Sequence, residues 1–335
     1  MEFLYFHRAA TLSQLSRVTG LDGHDLRRKL ERFPAITCTT NVMTLYVNGE
    51  WLKLSRVNVY TLSREVTLAY EDDYKTVHCY RNHPKADPRP DSKSLNRFVL
   101  VTELALRFPI QEELDIRLIP NVILDEFLFE GTDQKDSVQL PITGGLAWMP
   151  EGVQDPYFFG IGLFTNSIGG FTSYLKRAFP AQYDDLYKGL VFVTAGLLKE
   201  AITICQRHAP HVILQNYEWS IQKTQIIRYG LCRQWDVILK AYIEQYEWRN
   251  CTVSYDSSGH GTLGFRWKVK SEDKIIEYFD TTVGRTIGEI QKMATQRTVK
   301  GVVFVTTQEE KEAWEVVSKT AFANVKYQII DWSIH

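Results

Sequence analysis

The side chains best suited to chemistry in this chain are cationic and sit close together near its start. His24, Arg27, Arg28, Lys29 and Arg32 fall within one short segment. On a helix they would share an outward face. Clustered guanidinium and ammonium groups attract phosphate by charge, and an arginine fork can also donate two hydrogen bonds to the guanine edge. Lys53 and Arg56 follow downstream, and Ser13 and Gln14 lie upstream. Together these residues form a candidate DNA-binding set. The blander alternative is a solvated basic helix on a structural or protein-binding module.

The elements that must position these groups are legible nearby. Phe3, Leu4 and Phe6 begin an apolar helix face. Thr11 is placed to cap a short helix carrying Leu12, Leu15 and Val18, and Gly20 is placed to end it. Leu21 plugs the turn. Asp22 precedes a second helix, Gly23 to Phe33, whose expected inner face is Leu26, Leu30 and Phe33 before Pro34 stops it. Two β-rich runs flank Asn48-Gly49, a strong hairpin signal, and Val57 to Leu62 offers a further strand. Helix, turn, basic helix and hairpin predict a winged helix-turn-helix over residues 1–64, with the 23–33 helix entering the major groove.

Composition frames this module. The chain has 335 residues, a net charge of −1 and 44% hydrophobic residues, enough for real cores and for two or three domains. Residues 1–64 carry about four more Lys and Arg than Asp and Glu, and 65–150 about six fewer. A basic module on an acidic body points to duplex DNA as the partner of one domain. No run approaches a transmembrane span, and no secretory leader is evident, so a cytoplasmic protein with no membrane partner is expected. Cys38, Cys79, Cys205, Cys232 and Cys251 match neither a zinc pattern nor a disulfide framework and read as reduced thiols. Dinucleotide and P-loop fingerprints are missing, and His208 and His211 read as loop residues. Residues 65–93, with Arg81, Lys85, Arg89 and Lys93 among Pro and Asp, read as a linker.

The body carries an internal repeat. Gly189-Leu-Val-Phe-Val-Thr194 recurs as Gly301-Val-Val-Phe-Val-Thr306, and Lys199-Glu200-Ala201 as Lys311-Glu312-Ala313. Gln215 and Trp219 match Gln328 and Trp332, and Gly145 and Trp148 match Gly264 and Trp267. The shared order predicts two copies, 94–220 and 221–335, each α-β-β-β-α-β-α-β. The continuously apolar φ-φ-Phe-Val-Thr run, where φ is apolar, suits a central strand covered on both faces. Recurrent tryptophans, including Trp235 and Trp248, argue for core packing over base stacking. The expected class is α/β (α+β overall).

Behind a winged helix, this outline resembles the replication-relaxation family of plasmid and integrative-element proteins. The resemblance implies a restriction-endonuclease-like (PD-(D/E)xK) body, here in tandem where the family pattern has one copy. In such nucleases carboxylates on adjacent strands hold Mg²⁺ and a lysine helps position the attacking water. Copy one has no carboxylate at the matching strand, Phe158-Phe159-Gly160-Ile161-Gly162, nor at Thr143-Gly144-Gly145. Copy two keeps Glu277 and Asp280, with Asp256 and Lys268 as the nearest substitutes for the missing Pro-Asp and Lys. Residues three apart on a strand point to opposite faces, which disfavours a shared metal.

The leading expectation is therefore a sequence-specific duplex-DNA-binding protein of a plasmid or mobile element. It would serve replication, transfer or transcription control, with a non-catalytic body, no cofactor and a homodimeric state. Replication or transfer proteins are possible further partners. The alternatives are a Mg²⁺-dependent nuclease or nickase using Asp256, Lys268, Glu277 and Asp280, and a protein-interaction scaffold.

Overall fold

A computed structural model describes residues 1–47, 50–70, 92–108, 117–120, 142–148, 157–165, 168–179, 188–194, 196–232, 234–247, 252–255, 266–271, 274–280, 285–294, 301–317 and 326–330. The Asn48-Gly49 turn, linker residues 71–91 and Asp256 lie outside the described residues. The chain is mixed α/β and divides into two compact units, Met1–Tyr46 with Glu50–Thr165, and Val47–Gly49 with Asn166–His335. Among the described residues, no helix is long and apolar enough to cross a membrane.

The first unit opens with α1 (Glu2–His7), β1 (Ala10–Thr11), α2 (Leu12–Thr19), α3 (Gly23–Leu30), β2 (Ile36–Val47) and β3 (Glu50–Leu62). The three strands form a sheet in the order β1-β3-β2, and β1 pairs antiparallel with β3. Leu4, Tyr5, Ala10, Leu15, Leu26, Tyr60 and Leu62 make one core, joined by Phe3, Leu12 and Leu30 at its margin. Helix α4 covers 64–70, and its Tyr70 ring stacks on Tyr5 at 5.0 Å.

Two sequence expectations are corrected here. Helix α3 ends at Leu30 rather than Phe33, and Phe33 is 53% exposed instead of facing inward. Pro34 disfavours the helical region at Phe33, and the chain before it closes in tighter turns, with Arg32 N–H donating to the Lys29 carbonyl and Phe33 N–H to the Leu30 carbonyl, each at 3.1 Å. Val18, in the last turn of α2, is also mostly outside the core, at 42% exposure.

Helix α5 (Ser92–Arg107) begins inside the expected linker and packs on the module. The Thr102 hydroxyl donates to the Ala9 carbonyl at 2.8 Å, and the Asn96 amide donates to the Thr44 carbonyl at 2.9 Å. Strands β4 (Arg117–Pro120), β5 (Gly144–Trp148) and β6 (Tyr157–Phe164) follow as an antiparallel meander.

The second unit holds α6 (Phe171–Ala178), β7 (Lys188–Val193), α7 (Leu198–His208) and β8 (Ile213–Asn216). Two helices absent from the sequence expectation come next, α8 (Tyr217–Gln222) and α9 (Thr224–Leu231). Then come α10 (Trp235–Gln245), β9 (Thr252–Tyr255), β10 (Arg266–Ser271), β11 (Lys274–Asp280), α11 (Ile287–Ala294), β12 (Gly301–Val305), α12 (Gln308–Val317) and β13 (Lys326–Ile329).

The strand orders of the two larger sheets are β4-β5-β6-β7-β8 and β9-β10-β11-β12-β13, both following chain order. In each, the first three strands of the repeat pair antiparallel and the last two pair parallel. Parallel pairing needs a crossover, and α7 and α12 supply it at matching places. Leu190 to Val193 of β7 are fully buried, as are Val303 to Val305 of β12, in keeping with their unbroken apolar runs.

Within the second unit the repeat-matched helices α7 and α12 pack against each other. A separate pair of backbone hydrogen bonds joins the start of α11 to the segment that follows α7, from Ile287 N–H to the Val212 carbonyl (3.0 Å) and from Gly288 N–H to the Pro210 carbonyl (2.6 Å). A Cβ at Gly288 would lie 3.1 Å from the Pro210 oxygen, tighter than most such contacts, so a larger residue would press this approach apart by a few tenths of an ångström.

Candidate nucleic-acid interface

The cationic face is built on two well-capped helices. The Thr11 hydroxyl accepts from Gln14 N–H, while the Gln14 side-chain oxygen accepts from Thr11 N–H, a reciprocal capping box. Gly20, at φ 69, closes α2 in the left-handed conformation that glycine adopts without strain. The Ser16 hydroxyl donates to the Leu21 carbonyl across the turn. Asp22 then caps α3, accepting from His24 N–H at 2.8 Å. These local bonds define where α3 starts, while Leu26 and Leu30 define which side faces the core.

The remaining face of α3 is polar and solvent-accessible. His24, Arg27, Arg28, Lys29 and Arg32 are all exposed. Two of them have partners that the sequence reading overlooked. Arg27 Nε donates to Glu31 Oε1 at 2.9 Å, and Arg28 Nη2 to Asp25 Oδ1 at 3.3 Å, at i,i+4 and i,i+3 spacing. The spacing itself is the signal that could have found them. The Glu31 hydrogen bond holds the Arg27 guanidinium above its ordinary pKa. Exposed pairs of this kind contribute little to stability. Ser13 is exposed near the start of α2, and Arg56 is exposed on β3. Lys53 also lies on β3, but its side chain is outside the described residues.

Gln14 does not belong to this face. It is buried, its oxygen serves the capping box, and its amide donates to the Val99 carbonyl (2.9 Å) and Glu103 Oε2 (3.2 Å). With both ends engaged it ties α2 to α5 and is withdrawn from the DNA-facing set. Glu103 also accepts from Arg17 and Arg107, each at 2.9 Å. Burial pushes the Glu103 carboxyl up, yet the hydrogen bonds from Arg17, Gln14 and Arg107 outweigh it and hold the group below its ordinary value.

The expected nuclease residues are placed only in part. Lys268 on β10 sits directly opposite Glu277 on β11 in the antiparallel register, and Asp280 ends β11 beside Phe304 of β12. Their side chains, like all of Asp256, lie outside the described residues. No group of three or more His, Cys, Asp or Glu that could hold a metal occurs among the described residues.

Sequence reading missed a buried polar cluster in the second unit. Glu309 of α12 accepts from Gly196 N–H and Leu198 N–H, the latter at 3.2 Å, and from the Asn216 amide at 2.9 Å. Glu310 accepts from Thr306 N–H (2.6 Å) and the Trp314 indole N–H (3.3 Å). These bonds satisfy groups at the ends of β7, β8 and β12, which makes the cluster a structural joint.

A scan against protein-family models, a search of curated proteins and a search of solved structures each found no match for this chain.

Proposed function

We propose that the chain binds duplex DNA through α3 and the β2–β3 hairpin, with residues 1–62 acting as a winged helix-turn-helix. The observation that carries this is α3 itself. Its inner face is fixed in a core and its N-cap is satisfied, while Arg27, Arg28 and Lys29 stand exposed along the rest of it, with His24 at its start and Arg32 just beyond its end. The order helix, short strand, helix, helix, hairpin and the β1-β3-β2 sheet support the same reading. Arg56 at the base of the hairpin suits a backbone phosphate.

On this reading the two repeats are tandem nuclease-like domains kept as a non-catalytic body, in line with the resemblance to the replication-relaxation family. The protein would act in the cytoplasm, in replication, transfer or transcription control of a mobile element. One such module reads half a site, so a homodimer on an inverted repeat follows. A metal-dependent nuclease is the second reading, favoured only by the register that sets Lys268 opposite Glu277.

Fluorescence anisotropy with labelled duplex pools at two salt concentrations, with and without Mg²⁺, tests both. Binding that weakens steeply with salt and leaves the DNA intact is expected. Replacing Arg27 and Arg28 together by Ala should weaken binding by about tenfold or more. Unchanged affinity removes α3 from the reading, and Mg²⁺-dependent cleavage lost in Glu277→Ala installs the nuclease in its place.

A further inference from the structure

We infer that the two adjacent arginines of α3 divide the work: Arg28, oriented by Asp25, selects a guanine in the major groove, and Arg27 holds the sugar-phosphate backbone. The inference rests on the DNA-binding reading above and gives it a substrate class, duplexes carrying a G·C pair at one defined position of the half-site.

Helix geometry separates the two residues. Successive side chains turn by about 100°, so the buried Leu26 and the marginal Leu30 define an inward direction. Arg28 falls nearly opposite that direction, on the same side of the helix as His24. Arg27 and Glu31 fall on the flank between that crest and the core. Electrostatics point to the same flank. Burial is the main force pushing the Tyr60 hydroxyl of β3 above its ordinary pKa, and the Arg27 guanidinium acts against it. Arg27, held on that flank by Glu31, is the arginine assigned to the backbone phosphates. Arg28 stands on the crest, with its side chain 63% exposed.

The partner of Arg28 completes the argument. Asp25 Oδ1 accepts one hydrogen bond from Nη2, at 3.3 Å. A guanidinium has five donors in a rigid plane, so one contact steers the fork and leaves donors for the guanine O6 and N7 acceptors. The second Asp25 oxygen suits the N4 amino group of a cytosine, the base paired to that guanine or its neighbour. Lysine carries the same charge without the planar fork, and this distinguishes reading from attraction.

The test is selection of duplexes from a random pool by the full-length protein, followed by anisotropy on the selected and scrambled duplexes. The wild type should enrich a G·C pair at one position. Arg28→Lys should lower the ratio of affinities for G·C over the other pairs at that position by about 10- to 100-fold, whatever it does to binding of scrambled DNA. Asp25→Asn should blunt the same position, and Arg27→Lys should leave the selected sequence unchanged. An unaltered preference in Arg28→Lys overturns the inference, as does salt-dependent binding of the wild type with no base preference, although DNA binding itself then stands. Absence of binding to any duplex overturns the DNA-binding reading and this inference with it.

Discussion

The two repeat copies follow one connectivity but differ at two matching positions, the start of the crossover helix and the leading helix. In copy two the crossover helix α12 caps itself: the Thr307 hydroxyl accepts from Glu310 N–H at 3.0 Å. The matching start of α7 in copy one reads Gly196-Leu197-Leu198, with no capping side chain of its own, and its N–H groups are served by Glu309 of copy two. The leading helices differ as well. Copy two's α10 lays Tyr242 and Tyr246 on Phe304 of its own central strand, with ring centroids at 4.7 and 5.2 Å. Copy one's α5 hydrogen-bonds to the N-terminal module through Val99, Thr102 and Glu103. At these two points copy two supplies its own partners, whereas copy one draws on its neighbours; at the start of α11 the dependence runs the other way, since Ile287 and Gly288 of copy two donate to carbonyls of copy one. The two matching positions thus became joints in one copy only.

Glu309→Ala attacks that dependence most directly. It strips acceptors from two backbone N–H groups and from the Asn216 amide, all partly or fully buried. Leaving such donors unpaired should destabilise the second unit by about 2–3 kcal/mol. Hydrogen exchange should show the loss concentrated in 196–216, with β12 little affected. Glu309→Gln keeps an acceptor oxygen and should cost visibly less. Equal exchange in 196–216 and β12 would mean that the borrowed cap does not hold copy one.

Acid should separate the module from the repeat joint. Burial lowers the His7 pKa from 6.5 to about 4, so between these values the unfolded chain binds a proton that the folded module refuses. Stability that His7 contributes above pH 6.5 is lost as pH falls toward 4, at no more than about 1.4 kcal/mol per pH unit. The lowered carboxyl of Glu103 adds a loss of the same sign at still lower pH. Glu309 works oppositely: burial raises its pKa, so its contribution is full below the ordinary carboxylate value and declines as pH rises through the raised one. Urea midpoints of the wild type should drop from pH 7 to pH 5, and His7→Phe should flatten that drop. A midpoint unaffected by His7→Phe would contradict the buried neutral imidazole.

The bond between α5 and the module is a weaker target. Glu103→Gln keeps the shape but removes the charge that gathers Arg17, Gln14 and Arg107. The group is half-buried and two of its partners are exposed, so the cost should be about 1 kcal/mol. Faster exchange across α2 with α10 unchanged is the expected signature.

What the sequence disclosed follows from the range of each interaction. Thr11, Gly20 and Asp22 act within a few residues, so their roles as caps are readable from spacing. The apolar runs of β7 and β12 carry their burial in their own composition. Gln14 looked like a surface polar residue because its partners lie on α5, 85 and 89 positions away. Glu309 was silent for the same reason, since Gly196 is 113 positions distant. Helix α8 straddles the expected end of copy one and α9 lies just past it, and their short runs offered no period long enough to register. Among the candidate site residues, exposure on α3 was legible from charge. The pairing of Arg27 with Glu31, and of Arg28 with Asp25, was legible in principle from spacing.

The smallest effect expected is on the self-capped side of the comparison. Thr307→Ala removes the hydroxyl that accepts from Glu310 N–H, a loss of about 0.5–1 kcal/mol for a cap with solvent nearby. The neighbouring bonds from Thr306 N–H and the Trp314 indole to the Glu310 carboxylate persist and hold the first turn of α12. Exchange should therefore quicken only at the start of α12, and 196–216 should respond only slightly, because Glu309 still reaches the α7 N-terminus. If Thr307→Ala instead loosened 196–216 as much as Glu309→Ala, the two helix starts would be one cooperative joint, and copy two would be no more self-sufficient there than copy one.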